Sequence, residues 1–340
     1  MSSLRKEQLI SAFKQLGKYL NQPDDAFQAA IFSARNENAW FTEEEVAKSI
    51  KALAEMLNEA DLEKWFSKIE IAKTTKKVGL ILAGNIPLVG FHDVLCVLAT
   101  GNIAQIKLSS SDNKLLPFLL NKLVEFLPEL ANHIIYAEQL KDFDAVIATG
   151  SNNTSRYFEY YFGKVPNIIR KNRNSVAILT GEESEAEIAA LGHDILDYFG
   201  MGCRSISKIF IPENYEIKNF FEPLEQFKDI INHFKYNNNY DYNKSIYLVN
   251  QQKHYDNGFL LLKEDEGFSS PLAVLYYETY EKLEDVIEKL KQQEDQIQCV
   301  VSKSDLENLQ ALGFGQSQHP KLWDYADNVD TIEFLNRLTV

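Results

Sequence analysis

The three cysteines of the chain lie in different sequence settings, and one of them could act as a nucleophile. Cys96 lies within the apolar segment DVLCVLAT and Cys299 within IQCVV, where a cysteine usually serves as a small hydrophobic residue. Cys203 instead follows glycine in GMGCRS, at the predicted junction of a helix and a strand. The two glycines permit a sharp turn, and Arg204 beside the thiol favours the reactive thiolate. These features alone leave two interpretations of Cys203: it is a nucleophile, or it is a structural cysteine in a turn.

The segment AGNIP follows the strand-like run VGLILA and precedes the helix that contains Cys96. Ligands often bind at the carboxyl ends of strands in parallel sheets. Pro87 suits the first turn of that helix, and Asn85 could cap it. Alternatively, the Asn85 amide donates a hydrogen bond to an oxyanion that develops during a reaction.

Two further segments could contact a cofactor. Lys107 ends a predicted strand and is followed by three serines, which together offer a cation and hydroxyls to a sugar or phosphate; a solvated lysine is the alternative. Thr149, Gly150 and Ser151 follow the strand DAVIA and lead into a predicted helix. The chain contains no GxGxxG, so the usual dinucleotide-binding fingerprint is missing.

The composition is that of a soluble globular protein with more than one domain. The chain has 340 residues, which is too long for one ordinary hydrophobic core. Hydrophobic residues make up 45% of it and charged residues 25%. Its net charge of −14 argues against nucleic acid as a partner. No segment approaches the roughly 20 apolar residues that span a bilayer, so we expect no stable membrane insertion. Three cysteines indicate no disulfide framework and favour the cytoplasm, and we predict no metal site.

The hydrophobic pattern predicts an α/β fold. The N-terminal residues show helical periodicity, including an amphipathic first helix expected to pack on the protein and a Thr42–Glu45 capping box. From Lys77 onward, short apolar runs alternate with helix-length segments, which indicates βαβ units and a mostly parallel sheet. The runs predicted as strands are Val78–Ala83, Ile103–Leu108, His133–Ala137, Ala145–Thr149, Val176–Leu179, Lys208–Ile211, Ile246–Val249, Leu272–Tyr276 and Gln298–Val301. Tyr236–Asn243 is predicted to be a surface loop.

Taken together and in this order, these motifs resemble the aldehyde dehydrogenase superfamily. They resemble most closely the acyl-CoA reductases related to the fatty-acid reductase subunit of bacterial bioluminescence. The matching segments are GNIPLVGFHDVL, IKLSSSD, TGSNNTSRYF, FGMGCRS and WDYADNVDTIEFL, within residues 75–340. The resemblance implies an aldehyde dehydrogenase-like fold, with a Rossmann-like cofactor domain and an α/β catalytic domain after an N-terminal helical segment.

The resemblance also implies a domain division. Residues 1–75 would form the N-terminal helical segment, 76–172 the cofactor-binding domain, 173–315 the catalytic domain with Cys203, and 316–340 a C-terminal return. We place the main boundary in the polar stretch Arg170–Asn174. The end of the chain, Thr331–Val340, is expected to form an intersubunit strand, since this fold usually forms homo-oligomers.

The resemblance assigns roles to individual residues. Cys203 matches the cysteine that becomes acylated, and Asn85 the amide that forms the oxyanion hole with the backbone N–H of Cys203. Lys107 matches the lysine that contacts the adenosine ribose, and Thr149, Gly150 and Ser151 match the turn near the cofactor pyrophosphate. We therefore expect Cys203, Asn85 and the Lys107 side of the sheet to lie close together.

Glu266, in the segment EGFSSP, resembles the glutamate that holds the nicotinamide ribose. This match is looser, because Ser270 stands where the family usually has the glycine before the proline. No residue is assigned as the proton donor; His193 and Asp194 precede Cys203 on a predicted helix, where a role on the helix surface is the alternative.

Two departures from the superfamily pattern define the expected chemistry. Members that hydrolyse the acyl-enzyme carry a glutamate at the position of Ile169, and without that base water attack is slow. Members specific for NAD often place an acidic residue three positions after the lysine, where this chain has Ser110. A serine removes the repulsion of a 2′-phosphate, so NADPH is expected rather than NADH.

The resulting prediction is an NADPH-dependent acyl-thioester reductase that releases a fatty aldehyde. Its substrate would be a coenzyme A thioester or an acyl-protein thioester, with an acyl-protein synthetase as a partner. Two alternatives stay open: an acyl-transfer partner that uses Cys203 without a nicotinamide, and an acyl-phosphate reductase of the same fold. A measurement of nucleotide binding distinguishes the predicted reductase from the acyl-transfer partner. Activity with coenzyme A esters distinguishes it from the acyl-phosphate reductase.

Overall fold

The computed structural model describes residues 4–303, 306 and 309–338, and the statements below concern these residues. They fall into two compact units. Unit 1 contains the chain up to Asn172 together with the residues from His319 onward, and unit 2 is Arg173–Gln318. Within the described residues, no helix has the length and apolar character needed to cross a membrane, and no cluster of potential metal ligands occurs.

Unit 1 begins with the helices predicted for the N-terminal region. They are α1 (Lys6–Asn21), α2 (Asp25–Glu37), α3 (Glu43–Met56) and α4 (Glu59–Phe66). In α1, Leu9, Phe13, Leu16 and Leu20 recur every three or four positions and are buried in the core of the unit, so the predicted packing onto the protein is confirmed. The Thr42 hydroxyl caps α3 by accepting the backbone N–H of Glu45, at 3.2 Å.

The sheet of unit 1 has five parallel strands in the order β3-β2-β1-β4-β5. The strands are β1 (Lys77–Ile81), β2 (Ile103–Lys107), β3 (Ile134–Tyr136), β4 (Ala145–Thr149) and β5 (Asn167–Arg170), and the helices between them are α5 (Phe91–Ala99), α6 (Leu115–Phe126) and α7 (Asn152–Phe162). The strand order reverses between β1 and β4, which is where open α/β sheets bind ligands. Ile81 pairs with Lys107 and Ala148, so the segments that follow these three strands leave the same edge of the sheet.

The division between the two units falls between Asn172 and Arg173, inside the polar stretch Arg170–Asn174 where the boundary is predicted. The first residue of that stretch is not part of a linker. Arg170 ends the unpredicted strand β5, and its side chain is buried. Its guanidinium forms an ion pair with the buried carboxylate of Asp93 on α5 and donates to the Thr331 hydroxyl at 3.1 Å. Because the charge is paired and hydrogen-bonded, a buried arginine is tolerated at this position.

The C-terminal segment is a helix and not the predicted strand. It is α12 (Thr331–Arg337), which packs against α5 through the buried side chains of Ile332 and Leu335. Residues 339–340 of the predicted arm lie outside the described residues. A role of this segment between subunits stays a prediction.

Unit 2 contains a six-stranded sheet in the order β11-β6-β7-β10-β9-β8, parallel except where β8 pairs with β9. The strands are β6 (Asn174–Ile178), β7 (Ile206–Pro212), β8 (Tyr255–Asp256), β9 (Leu261–Glu264), β10 (Val274–Tyr280) and β11 (Ile297–Ser302), and the helices are α8 (Glu185–Leu196), α9 (Ile217–Leu224), α10 (Phe234–Val249) and α11 (Leu283–Gln292). The short strands β8 and β9 were not predicted. The mixed α/β fold with mostly parallel sheets is confirmed.

Helix α10 replaces two predicted features, the loop Tyr236–Asn243 and the strand Ile246–Val249. Tyr236 and Asn243 are buried, seven positions apart on one face of the helix. The Tyr236 hydroxyl and the Asn243 amide each donate to a backbone carbonyl elsewhere in the unit, at 3.0 and 2.9 Å. The Tyr- and Asn-rich composition indicated a loop, but hydrogen-bonded tyrosine and asparagine fill this helix face.

Candidate functional site

An unusual turn brings the chain from α8 to Cys203. Tyr198, Phe199 and Gly200 all have left-handed backbone conformations, with φ of 54°, 56° and 73°. For Tyr198 and Phe199 this conformation is unfavourable and persists only where packing enforces it. The buried Phe199 ring lies 4.4 Å from the ring centroid of His233 and 6.1 Å from that of Tyr236. Aromatic packing therefore holds this left-handed turn in place just before the cysteine.

The backbone around Cys203 is held by hydrogen bonds on both sides. The Gly202 N–H donates to the Ser205 hydroxyl at 3.1 Å, and the Ser205 N–H donates to the Gly202 carbonyl at 3.0 Å. The Ser175 hydroxyl of β6 donates to the Cys203 carbonyl at 2.9 Å. Cys203 itself is exposed and lies three residues before the start of β7, one of the two central strands. A fixed backbone with an exposed thiol suits an attacking nucleophile.

The other two cysteines differ from Cys203 in their surroundings. Cys96 is fully buried in α5, and burial raises the pKa of its thiol well above the ordinary value. The Cys299 sulfur lies 3.0 Å from the Ser175 hydroxyl, and burial raises the pKa of Cys299 to about 11. Neither supplies a ready thiolate near neutral pH, so the prediction that both are structural is supported.

Asn85 and Pro87 do not occupy the predicted cap and first turn of α5. The helix begins at Phe91 with Gly90 as its N-cap, and Asn85 lies in the preceding loop with its residue exposed. The Ser49 hydroxyl of α3 anchors this loop by donating to the Pro87 carbonyl at 2.8 Å. The capping alternative for Asn85 is therefore wrong.

A buried carboxylate, which sequence reasoning missed, joins the loop of Asn85 to the loop of Lys107. Asp112 accepts the backbone N–H of Leu88 at 2.8 Å, and Leu88 has a left-handed φ of 60°. The same two loops touch at Gly84, where a Cβ would lie 2.6 Å from the Cβ of Ser109. Glycine is therefore required at position 84, and Asp112 maintains the strained conformation of Leu88.

The pKa of Asp112 gives a pH-dependent stability. Burial raises this pKa from 3.8 to about 6. Because the folded state holds the proton more tightly, this contribution to stability is present below pH about 4 and is lost as pH rises through about 6. The shift corresponds to about 3 kcal/mol.

Asp112→Asn should remove this dependence while keeping an oxygen for the Leu88 N–H. As pH rises from about 4 to about 7, the free energy of unfolding of the variant should increase by about 3 kcal/mol relative to that of the wild type. Urea unfolding at a series of pH values measures this difference. Glu138→Gln, which replaces an exposed carboxylate, serves as the control. Parallel stability profiles for Asp112→Asn and the wild type would contradict the assignment.

Lys107 and Ser110 both lie at the carboxyl end of β2. Lys107 ends β2 with its side chain exposed, and Ser110 is exposed in the loop that follows. Asp112 is the one carboxylate within residues 107–114, and it faces the interior, so the exposed part of this loop carries hydroxyls. This fits a sugar that bears a 2′-phosphate, because no carboxylate of the loop repels it.

Thr149 is the last residue of β4, and Gly150 and Ser151 follow it, at the position where the strand order reverses. The Ser151 hydroxyl caps α7 by accepting the Thr154 N–H at 3.3 Å. The N-terminus of a helix at a strand end is suited to a pyrophosphate, so these residues fit the predicted contact. Within unit 1, the structure therefore places the segments of Asn85, Lys107 and Ser151 at one edge of one sheet.

In unit 2, Glu266 is exposed in the loop between β9 and β10. His193 lies on α8 with Nδ1 3.2 Å from the Asp197 carboxylate. Asp194 is buried and accepts the backbone N–H groups of Gly315 and Ser317 at 2.6 and 2.9 Å. Asp194 therefore anchors a loop, and the alternative of a role on the helix surface is wrong for this residue. The proximity of Cys203 and Asn85 stays a prediction.

The sequence matches the family model described as acyl-CoA reductase (LuxC) over residues 7–312. The chain belongs to this acyl-CoA reductase family. The predicted resemblance is confirmed, and it extends into the N-terminal helices that the motifs did not cover. The reductase is an aldehyde-forming oxidoreductase. Among curated proteins, no sequence matches it significantly.

Solved structures confirm the aldehyde dehydrogenase fold of the reductase. Aldehyde dehydrogenase 21 from Physcomitrella patens, in complex with succinate, has a TM-score of 0.68 at 12% identity and covers 99% of this chain and 85% of its own. Indole-3-acetaldehyde dehydrogenase AldA from P. syringae, in complex with NAD+ and IAA, has a TM-score of 0.66 at 11% identity. The match covers 90% of this chain and 74% of AldA. An aldehyde dehydrogenase from Mycobacterium tuberculosis, complexed with NAD+, has a TM-score of 0.60 at 15% identity. The match covers 84% of this chain and 71% of the M. tuberculosis protein.

Proposed function

We propose that the reductase converts an acyl-CoA to a fatty aldehyde with NADPH, through an acyl group carried on Cys203. The observation that carries this proposal is the setting of Cys203, an exposed residue shortly before β7 whose backbone is fixed by Ser175 and Ser205. The other two cysteines are buried or paired with a hydroxyl and have raised pKa values. The choice of an acyl thioester as the substrate rests on membership of the acyl-CoA reductase family.

The first half-reaction is a thioester exchange. The Cys203 thiolate attacks the acyl carbonyl carbon, the new carbon–sulfur bond forms, and the coenzyme A thiolate leaves with the electron pair of the broken bond. We assign the stabilisation of the oxyanion to the Cys203 backbone N–H and the Asn85 amide; one such donor contributes about 2.7–4 kcal/mol. One thioester replaces another, so the step is nearly balanced in free energy.

The second half-reaction releases the aldehyde. Bound NADPH supplies a hydride to the carbonyl carbon of the acyl-cysteine. The same donors would stabilise the resulting thiohemiacetal oxyanion. Its electron pair re-forms the carbonyl as the carbon–sulfur bond breaks, which gives the aldehyde and the Cys203 thiolate. Lys107, Ser110, the Thr149–Ser151 turn and Glu266 are the residues we assign to holding the cofactor.

The lack of a hydrolytic base favours exchange with coenzyme A over hydrolysis. Ile169, at the position of the base in hydrolytic members of the superfamily, is a half-buried residue of β5. A general base usually contributes about 10²–10⁴-fold, so water attack on an acyl-Cys203 should be slow. An acyl-protein synthetase partner and a homo-oligomer stay predictions from the resemblance.

Cofactor choice tests this proposal together with the role of Ser110. The wild type, incubated with acyl-CoA esters of several chain lengths, should consume NADPH more efficiently than NADH, as followed by loss of the reduced cofactor. In Ser110→Glu, a carboxylate facing the 2′-phosphate should lower kcat/KM for NADPH at least about tenfold, since like charges in contact cost several kcal/mol. The same quantity for NADH should change little.

Ser110→Ala is the matched control, because it removes the hydroxyl without adding charge. If the wild type binds neither nicotinamide in a fluorescence titration but is still acylated, the chain is an acyl-transfer protein and the proposal is wrong. If Ser110→Glu lowers kcat/KM equally for both cofactors, Ser110 does not select between them.

A further inference from the structure

A buried ammonium group lies in the strand that follows Cys203. The Lys208 side chain has no exposed surface. Its Nζ donates to the carbonyls of Asp265 and Glu266, both at 2.9 Å, and to the Glu278 carboxylate at 2.6 Å. Burial lowers the pKa of Lys208, and the ion pair with Glu278 opposes this change. The three acceptors match the three donors of an ammonium, which makes the burial of this charge tolerable.

Two of these three acceptors belong to the loop that carries Glu266. The preceding residue on β7 holds the same loop, since the Ser207 hydroxyl donates to the Phe268 carbonyl at 2.6 Å. Within the loop, the Asp265 carboxylate accepts the Gly267 N–H at 2.9 Å. The loop backbone is therefore fixed to β7 on both sides of Glu266, while Glu266 itself is exposed.

A purely structural role explains this lysine poorly. Replacing a buried ion pair with apolar residues is often neutral or stabilising, so a folded core alone does not require Lys208. Its position between Glu278 and the two loop carbonyls gives it a specific consequence: the carbonyls of Asp265 and Glu266 keep one orientation. Positioning of a ligand-binding group by a buried hydrogen-bond network is a common requirement of active sites.

We propose that Lys208 is a positioning residue that fixes the loop backbone at Glu266 and so aims its carboxylate at the nicotinamide ribose. This inference rests on the proposed function, in which Glu266 holds that ribose. It adds that the strand leading from Cys203 also sets the cofactor contact. A change at Lys208 then acts on cofactor binding and hydride transfer, and leaves the cofactor-independent acylation of Cys203 intact.

Lys208→Met tests this inference by comparing the two half-reactions. We expect the KM for NADPH to rise roughly 10–100-fold, because small misplacements of a positioning group have effects of this size. Release of coenzyme A from acyl-CoA in the absence of NADPH, which reports acylation alone, should proceed at the wild-type rate. Lys289→Met is the matched control, since Lys289 contacts the same Glu278 carboxylate at 2.6 and 2.7 Å from α11. It should leave both measurements unchanged.

A double-mutant cycle with Glu266→Ala tests whether Lys208 acts through Glu266. If it does, adding Lys208→Met to Glu266→Ala should raise the KM for NADPH no further. Additive effects of the two substitutions would overturn the proposal, as would an unchanged KM in Lys208→Met or an equal fall in its acylation rate.

Ser207→Ala provides a second variant if Lys208→Met does not fold. It removes only the hydroxyl that donates to the Phe268 carbonyl and should raise the KM for NADPH in the same direction, with acylation unchanged. An unchanged KM in Ser207→Ala would count against the positioning of the loop by β7. Failure of the proposed function is distinct from all these results, because the wild type itself would then show no acylation or no NADPH binding.

Discussion

Replacing Cys203 with alanine should abolish both acylation by acyl-CoA and formation of aldehyde. In the proposed mechanism the sulfur carries the acyl group through both half-reactions, so neither can proceed without it. Coenzyme A release and oxidation of NADPH, measured separately, should both fall to the level of a protein-free control. NADPH binding, measured by fluorescence titration, should persist, because the residues assigned to the cofactor are unchanged.

Cys96→Ala is the matched control for this prediction. Cys96 is buried in the core of unit 1, so the control removes a thiol without touching the proposed nucleophile. It should keep both activities once folded. Aldehyde formation by the Cys203→Ala variant would show that the reduction does not pass through this sulfur, and the proposed chemistry would be wrong.

Replacing Asn85 with alanine should lower the rate of aldehyde formation about 10²–10³-fold. The loss of one oxyanion donor typically has this effect on kcat. In the proposed mechanism both half-reactions pass through a tetrahedral oxyanion, so the acylation rate and the reduction rate should fall together. Nucleotide affinity should stay near that of the wild type, since Asn85 is not assigned to the cofactor.

Asn132→Ala, a change at an exposed asparagine in the turn before β3, serves as the control for Asn85→Ala. It should leave both rates unaffected. A variant at Asn85 that keeps near-wild-type acylation but loses NADPH binding would assign this residue to the cofactor and remove it from the oxyanion hole.

Much of the fold follows from patterns that are local in the sequence. Short apolar runs such as Ala145–Thr149 become buried parallel strands, because both faces of such a sheet are covered. The helix Leu115–Phe126 is one of the helix-length segments that alternate with these runs. The misreading of α10 has a physical cause: its buried face consists of tyrosine and asparagine, whose burial depends on hydrogen bonds to distant carbonyls.

Sequence reasoning identified the exposed residues of the candidate site but missed the buried residues that support them. Cys203 and Lys107 stand beside glycines or at strand ends, which are visible in the sequence. Lys208 and Asp112 are polar residues whose partners lie 57 and 24 positions away, at Asp265 and Leu88, so no short motif reveals them. A lysine within a mostly apolar strand was the one available signal for Lys208.

The central claim is that Cys203 carries the acyl group, and trapping the acyl-enzyme tests it most directly. The wild type is incubated with an acyl-CoA without any nicotinamide, quenched, digested and examined by mass spectrometry. We predict one acyl adduct per chain, on the peptide that contains Cys203, with release of an equal amount of coenzyme A, and discharge of the adduct as aldehyde when NADPH is added. An adduct on another residue, or NADPH-dependent aldehyde formation without any adduct, would contradict the claim.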